Sequence, residues 1–297
     1  MAYLALIEAE FPLLLLSISL IFGLLIGSFL NVVIHRIPIM LEREWNAQAK
    51  EILELENDTE VEDDTEGKTE VYNLVFPNSH CPKCQHQIKP WENIPLVSYS
   101  ILGGKCASCK TKISIRYPSI ELLTGLLTAI IIMNFGPNLA GLMACVFTWA
   151  LISLSLIDYD HKILPDDITL PLLWLGLICN YFELFTAFSN AFWGAIAGYL
   201  SLWTVYQVFK LVTGKEGMGF GDFKLLALLG AWMGWQMLPL IIILSSLTGA
   251  IIGGALIALG RDKTNPIPFG PFLALAGWIA FLWGQEITLS YLKMTTF

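Results

Sequence analysis

The chain has 297 residues, 55% of them hydrophobic and only 14% charged, with a mean hydropathy of +0.63. A soluble globular protein of this length does not carry so little charge, so the composition points to an integral membrane protein. The formal charge of −8 is local: residues 42–70 hold twelve of the 25 acids and three bases, a net of −9, and the rest sums to +1. No basic patch suggests nucleic acid, and the acidic run reads as a solvated linker.

The N-terminus has no basic region before its apolar run and no small-residue cleavage site, so residues 13–34 read as a retained first span rather than a removable signal. Within it, Gly27-Ser28-Phe29-Leu30-Asn31 puts small and amide residues on a greasy helix. Small residues permit close helix packing, and a buried Asn31 requires a partner or, alternatively, holds substrate. His35-Arg36-Ile37-Pro38 is expected to end the helix. Residues 41–56 then predict a short amphipathic helix with Leu41, Trp45, Ala49, Ile52 and Leu53 on one face, and 57–69 a polar linker without chemistry.

The next segment carries two CxxC pairs, Cys81-Pro82-Lys83-Cys84 and Cys106-Ala107-Ser108-Cys109, with 21 residues between them. Four thiolates converging from two turns suit tetrahedral Zn²⁺. Two disulfides or a redox CxxC are the alternatives, but a two-residue spacing strains a disulfide and no thioredoxin-like unit surrounds it. Four cysteines complete a closed site and leave His80 and His86 outside it. Gly103, Gly104 and Lys105 precede the second pair as a turn and a solvated charge. Cys145 and Cys179 fall in spans and behave as small apolar residues.

Residues 119–135 form the second span, with Glu121 expected in its first turn, where a carboxylate complements the helix dipole. Spans at 139–157, 168–185 and 190–212 follow. The loop after the third holds Asp158, Asp160, Asp166 and Asp167. Asp166 or Asp167 is expected to cap the next helix after Pro165, and Asp160 to face solvent. Asp158, directly after Leu156-Ile157, is the acid expected to face the interior.

A second acid stands at the membrane edge in Gly217-Met218-Gly219-Phe220-Gly221-Asp222-Phe223-Lys224. A carboxylate there is costly unless it faces a polar cavity or a partner, although Asp222 could also cap the helix that follows. Residues 223–235 are short for a span and are expected to pair with 238–259 through a Gln236-Met237 turn. A charged loop at 261–265, a rigid Pro268-Phe269-Gly270-Pro271 entry and a last span at 272–289 complete an all-α polytopic membrane protein of about eight transmembrane helices. With both termini outside, sixteen of the 17 Lys and Arg lie on the cytosolic side and only Lys293 does not, which sets the orientation. The expected organisation is a first transmembrane helix at 1–35, a cytosolic segment with the acidic linker and four-cysteine zinc site at 36–118, and a membrane core at 119–297. Reduced cytosolic thiols agree with metal binding.

Two carboxylates that converge cannot both ionise easily, so one keeps a proton while the other activates water, the aspartic-protease arrangement. The ordered set Gly27–Asn31, the tetracysteine segment, Arg116-Tyr117-Pro118-Ser119-Ile120-Glu121, Ile157-Asp158, Leu164-Pro165-Asp166, Gly219–Lys224 and Pro268–Pro271 resembles the type IV prepilin peptidases over nearly the whole chain. The GxGD element alone also resembles presenilin-type proteases, which lack this cysteine segment, and the insert 42–70 matches no motif.

The resemblance implies that Asp158 and Asp222 are the catalytic pair. It implies cleavage of a basic leader from prepilin and pseudopilin precursors at the cytosolic face of the inner membrane, in pilus and type II secretion systems. It also implies methylation of the new N-terminus with S-adenosylmethionine, with Gly104 and Lys105 as candidates for that reaction, and a structural Zn²⁺ on Cys81, Cys84, Cys106 and Cys109. No glycine-rich nucleotide fingerprint suggests the methyl donor independently. The competing readings are a zinc-dependent membrane scaffold and a cation transporter with the two aspartates as ligands.

Overall fold

The structure, a computed structural model, describes residues 12–53, 72–260 and 267–295. The polar linker 57–69 and the charged loop 261–265 lie outside the described residues. Among those described, the chain is helical apart from two isolated antiparallel bridges, His80 with Gln87 and Lys105 with Lys112. The helices are α1 (Pro12–Ile52), α2 (Val97–Ile101), α3 (Arg116–Phe135), α4 (Leu139–His161), α5 (Asp166–Tyr181), α6 (Phe188–Thr213), α7 (Phe220–Met233), α8 (Leu238–Ala258) and α9 (Gly270–Thr295). Short 3₁₀ turns occupy Pro90–Asn93 and Trp235–Met237.

Six helical stretches are long and apolar enough to cross a membrane: α1, α3, α4, α6, α9 and Trp235–Ala258, which contains α8. The two remaining apolar segments form α5 and α7, of 16 and 14 residues. At about 1.5 Å per residue these fall short of a hydrocarbon core of about 30 Å. Eight is therefore an approximate count. The chain divides into two compact units, Ile21–Leu126 and Met1–Leu20 with Leu127–Phe297.

Within Ile21–Leu126, α1 does not stop at Pro38 but runs through it for 41 residues. Proline removes one N–H, but the residues beyond it, Leu41-Glu42-Arg43-Glu44 onward, are strong helix formers, and lipid-embedded helices tolerate such gaps. Arg36 is buried, with its guanidinium donating to the carbonyls of Asn73 at 2.8 Å and Pro77 at 2.6 Å. It thereby holds the returning chain against α1. A Cβ at Gly27 would lie 2.7 Å from the Cα of Glu121, so α1 and α3 touch backbone to backbone there. Asn31 finds its partner in the Tyr117 carbonyl, 3.2 Å from Nδ2. Glu121 lies beyond the first turn of its own helix, because α3 starts at Arg116. Its carboxylate instead accepts the Leu96 N–H at 2.9 Å, at the N-cap of α2.

The other unit is organised around α7. Asp222, Phe223 and every residue from Leu225 to Met233 are buried, as expected for a helix that is apolar on all sides. Gly194 and Gly198, one turn apart on α6, bring the two backbones together. A Cβ at Gly198 would meet the Leu226 carbonyl oxygen at 2.5 Å, and one at Gly194 would clash with Gly230. On the opposite side, Gly176 of α5 leaves room for the Trp232 indole, whose Nε1 donates to the Leu172 carbonyl at 2.9 Å. Asn180 closes the C-terminus of α7: its Nδ2 donates to the carbonyls of Ala231 and Trp232, and its Oδ1 accepts from Phe185 and Thr186. All four of its hydrogen-bonding positions are used, which satisfies the terminal carbonyls of a buried helix. The outward faces are large and apolar, for instance Trp174, Trp193, Leu247 and Ile251, and fit a lipid bilayer.

The α6–α7 contact yields a prediction. Gly198→Val forces backbone apart in a packed interior, and overpacking of this kind costs about 1–3 kcal/mol. The purified protein should unfold at a lower temperature in detergent. An unchanged midpoint would mean that the two backbones are not held this closely.

Candidate active site and metal centre

Asp158 sits in the last turn of α4 and is only 6% exposed. The helix ends soon after it, where Lys162 adopts a left-handed conformation (φ 59°) and returns its N–H to the Asp158 carbonyl. Asp222 is the third residue of α7, after Gly219 as N-cap, and is 9% exposed. The reading of Asp222 as the helix cap is therefore superseded, and the GxGD spacing serves to bury the acid in the first turn.

Two contacts link the surroundings of the two acids. The Gly270 N–H, at the start of α9, donates to Asp158 Oδ2 at 2.9 Å. Leu164 lies beside the neighbours of both acids: a Cβ at Gly221, next to Asp222, would meet it at 2.9 Å, and one at Gly270, which bonds Asp158, at 3.3 Å. Gly270 allows no side chain, because a Cβ would lie 2.5 Å from Asp158 Oδ2.

The neighbouring acids behave differently. Asp160, Asp166 and Asp167 are exposed. The expectation that Asp166 or Asp167 caps α5 is corrected: Pro165 is the N-cap and no side chain bonds the free N–H groups. Asp166 instead takes Lys224 Nζ on both carboxylate oxygens at 2.7 Å, tying the start of α5 to α7. Both side chains are partly solvated, so the pair is worth at most about 1 kcal/mol and acts chiefly on register.

The four-cysteine cluster lies within the other unit. Two knuckles of matching geometry present the four sulfurs. In the first, the Cys81 N–H bonds the His86 carbonyl and Gln85 bonds back to Cys81; in the second, Cys106 bonds Thr111 and Lys110 bonds back to Cys106. Gln85 and Lys110, each directly after the second cysteine, both have positive φ, 57° and 58°. The sulfurs all lie within 4.8 Å of one another, with Cys81–Cys109 at 3.8 Å and Cys84–Cys106 at 3.9 Å. A tetrahedron with metal–sulfur bonds of about 2.3 Å has edges of about 3.8 Å, so the donor set is compatible with zinc. Thr111 Oγ1 lies 3.2 Å from Cys109 Sγ and steadies the second knuckle. His80 and His86 stay outside: His80 Nδ1 lies against the Asn78 carbonyl, and His86 Nε2 pairs with Glu92 at 3.1 Å.

Gly104 and Lys105 separate in character. Gly104 is buried with φ 67°, packed so closely on Tyr99 that a Cβ would meet its hydroxyl at 2.9 Å. Lys105 is exposed on the short bridge with Lys112. Two anchoring groups escaped sequence reasoning. The Gly270 N–H reaches a carboxylate 112 residues earlier, and Arg36 reaches carbonyls 37 and 41 residues later; no local pattern reports either distance.

Comparison with known proteins covers both parts of the chain. Residues 21–135 match the bacterial peptidase A24 N-terminal domain and residues 145–254 the type IV leader peptidase family. A Pseudomonas aeruginosa protein named prepilin leader peptidase/N-methyltransferase is 56% identical over 290 residues, 97% of each chain. Proteins of the same name from Aeromonas salmonicida and Neisseria gonorrhoeae are 53% and 50% identical, over 95% and 89% of each chain. No solved structure matches. With both domain models in order along the chain and such identity over nearly its full length, this protein belongs to the type IV leader peptidase family.

Proposed function

We propose that the chain cleaves the leader peptide from prepilins and pseudopilins at the cytosolic face of the bacterial inner membrane and then N-methylates the new N-terminal residue, with Asp158 and Asp222 as the catalytic pair. The observation that carries the assignment of the pair is the buried placement of both carboxylates around Leu164, with the Gly270 N–H fixed on one of them. An N–H donated to Asp158 Oδ2 favours the charged form of that acid, so Asp158 is assigned as the base and Asp222 as the acid. Asp158 takes a proton from water as the water oxygen attacks the scissile carbonyl, and Asp222 gives its proton to the carbonyl oxygen. The tetrahedral diol then collapses: Asp158 passes its proton to the leaving amine, and the diol returns one to Asp222.

The four cysteines are assigned one structural Zn²⁺, and S-adenosylmethionine is the methyl donor. Gly104, through Tyr99, and Lys105 remain the candidates for methyl transfer in the cytosolic segment. The distribution of Lys and Arg supports periplasmic termini. A scaffold has no need of two buried acids, and a backbone N–H aimed at Asp158 Oδ2 opposes a cation at that oxygen. Neither competing reading is favoured.

Asp158→Asn and Asp222→Asn should each lower leader cleavage by more than about a hundredfold, with Asp160→Asn close to wild type. Gly270→Ala should lower it by about ten- to a hundredfold, since it displaces the Asp158 carboxylate by a fraction of an ångström to an ångström. Peptide mass after incubation with a prepilin decides, and normal cleavage by Asp222→Asn would end the aspartyl mechanism. Elemental analysis should find one zinc per chain, lost in Cys81→Ser or Cys106→Ser with increased proteolysis of the segment between α1 and α3. Absence of zinc in protein with four free thiols would remove the metal assignment.

A further inference from the structure

The segment between α1 and α3 leaves large apolar side chains uncovered: Trp91, Ile94, Val97 and Ile101 are 64%, 46%, 50% and 79% exposed. Val97 and Ile101 stand one turn apart on α2 and share a face. Four such residues on one short stretch mark an interaction surface rather than a face turned to water. We propose that the stretch from Trp91 to Ile101 is an interfacial element that inserts these side chains into the adjoining leaflet of the bilayer, so that the partner of this surface is phospholipid. The depth of the stretch and the charge around it carry the inference.

The depth follows from α3, which has 20 residues. At about 1.5 Å per residue it just matches a hydrocarbon core of about 30 Å, so Arg116 stands at the edge of that core. Glu121, more than one turn further on, therefore lies inside it, with its Cα against Gly27 of α1. The buried Glu121 carboxylate accepts the Leu96 N–H at 2.9 Å. Leu96 is thus pinned at the level of the span, in a conformation with φ 58° that a branched apolar residue seldom adopts. Helix α2 begins at the next residue and is only about 7.5 Å long, so Val97 and Ile101 stay close to that level. The hydroxyls of Ser98 and Ser100 turn back onto the carbonyls of Ile94 and Leu96, at 2.7 and 2.8 Å. Polar groups satisfied within the segment suit a setting poor in water. In the same unit α3 exposes Leu122, Leu123 and Leu126, which face lipid.

The charge points the same way. Residues 72–116 hold six Lys and Arg and a single acid, Glu92. Glu92 is already engaged by His86 and the Lys89 N–H. Lys83, Lys89, Lys105, Lys110 and Lys112 are exposed. Cations around an apolar strip complement anionic phospholipid headgroups. Lys89 Nζ also lies 5.4 Å from the centre of the Trp91 ring, and an amphipathic ring beside a cation suits the headgroup level. The same charge argues against the apolar helix of a prepilin as the occupant, because a basic leader beside that helix would be repelled. Insertion of the stretch holds the four-cysteine segment against the membrane surface.

The test uses full-length protein in vesicles of phosphatidylethanolamine with about 20% phosphatidylglycerol. A photoactivated carbene reagent dissolved in the acyl chains should label Trp91, Ile94, Val97 and Ile101 of the wild type to within about threefold of Leu122 on α3. Ile52, 79% exposed at the far end of α1, should take up at least about tenfold less. Labelling of the four residues no higher than that of Ile52 overturns the proposal. A photoreactive p-benzoylphenylalanine in place of Ile101 then identifies the occupant, with leader cleavage as the check that the altered chain is folded. Its crosslinks should go to phospholipid, with phosphatidylglycerol enriched about twofold over its bulk share. Crosslinks to an added prepilin or to a second copy of the chain overturn the proposal in favour of a protein-docking face. Phospholipid crosslinks of bulk composition overturn the part assigned to the lysines.

Discussion

An acid can stay inside an apolar bundle only if the bundle holds it there, and α7 supplies that constraint. It is 14 residues long and, beyond its first turn, apolar on every side and buried from Leu225 to Met233, so its neighbours enclose it in one position of low energy. Asp222 in its first turn is carried to a fixed depth as a consequence. The depth is set from the far end as much as from the near one. Asn180 satisfies the carbonyls of Ala231 and Trp232, and Gly194, Gly198 and Gly230 let α6 close on the helix without a gap. Packing of small residues, rather than a hydrophobic force that lipid cannot supply, keeps the acid from withdrawing to the surface.

The second acid is fixed by a different means. Asp158 ends its helix and is held through Gly270, whose N–H is one of the free donors at the start of α9. Asp222 also stands in the first turn of a helix, so it is the direct N–H on Asp158 Oδ2 that distinguishes the two acids. Equal carboxylates would share a proton in either direction, whereas one N–H donor favours negative charge on Asp158, the base of the proposed reaction. Glycine is required at that position because the carboxylate occupies the space of a side chain, a reason unconnected with turn flexibility.

Much of this was legible in the sequence, and the rest failed for identifiable reasons. The helical membrane class, the apolar segments and the cysteine spacing are local features of composition or pattern, and they appear in the structure. The end of α1 was misplaced because Pro38 was weighed alone, while a run of strong helix formers follows it and Arg36 is satisfied by distant carbonyls. Glu121 and Asp166 were assigned to helix ends by proximity in sequence. Each instead bonds a partner far along the chain, Leu96 and Lys224, because a specific donor outweighs a diffuse dipole. The partner of Asp158 was illegible for the same reason: contact over 112 residues is a property of the bundle, not of a motif.

The cysteine segment shows why a metal belongs there. Between residues 72 and 115 the buried hydrophobic residues are Cys81 and Cys106, while Val75, Phe76, Trp91, Ile94 and Ile101 are exposed. A stretch of that length without a core cannot offset its own chain entropy. Four thiolates around the proposed ion would replace the core, since a structural site contributes its binding free energy to folding. The remaining ties are polar and reach back to the helices: Arg36 to the carbonyls at 73 and 77, and Glu121 to the Leu96 N–H. A segment gathered at its centre by four cysteines and at its margins by buried charges leaves its interior unfilled. A cavity bordered by α1 and the knuckles lies in the part of the chain where a packed apolar core is missing.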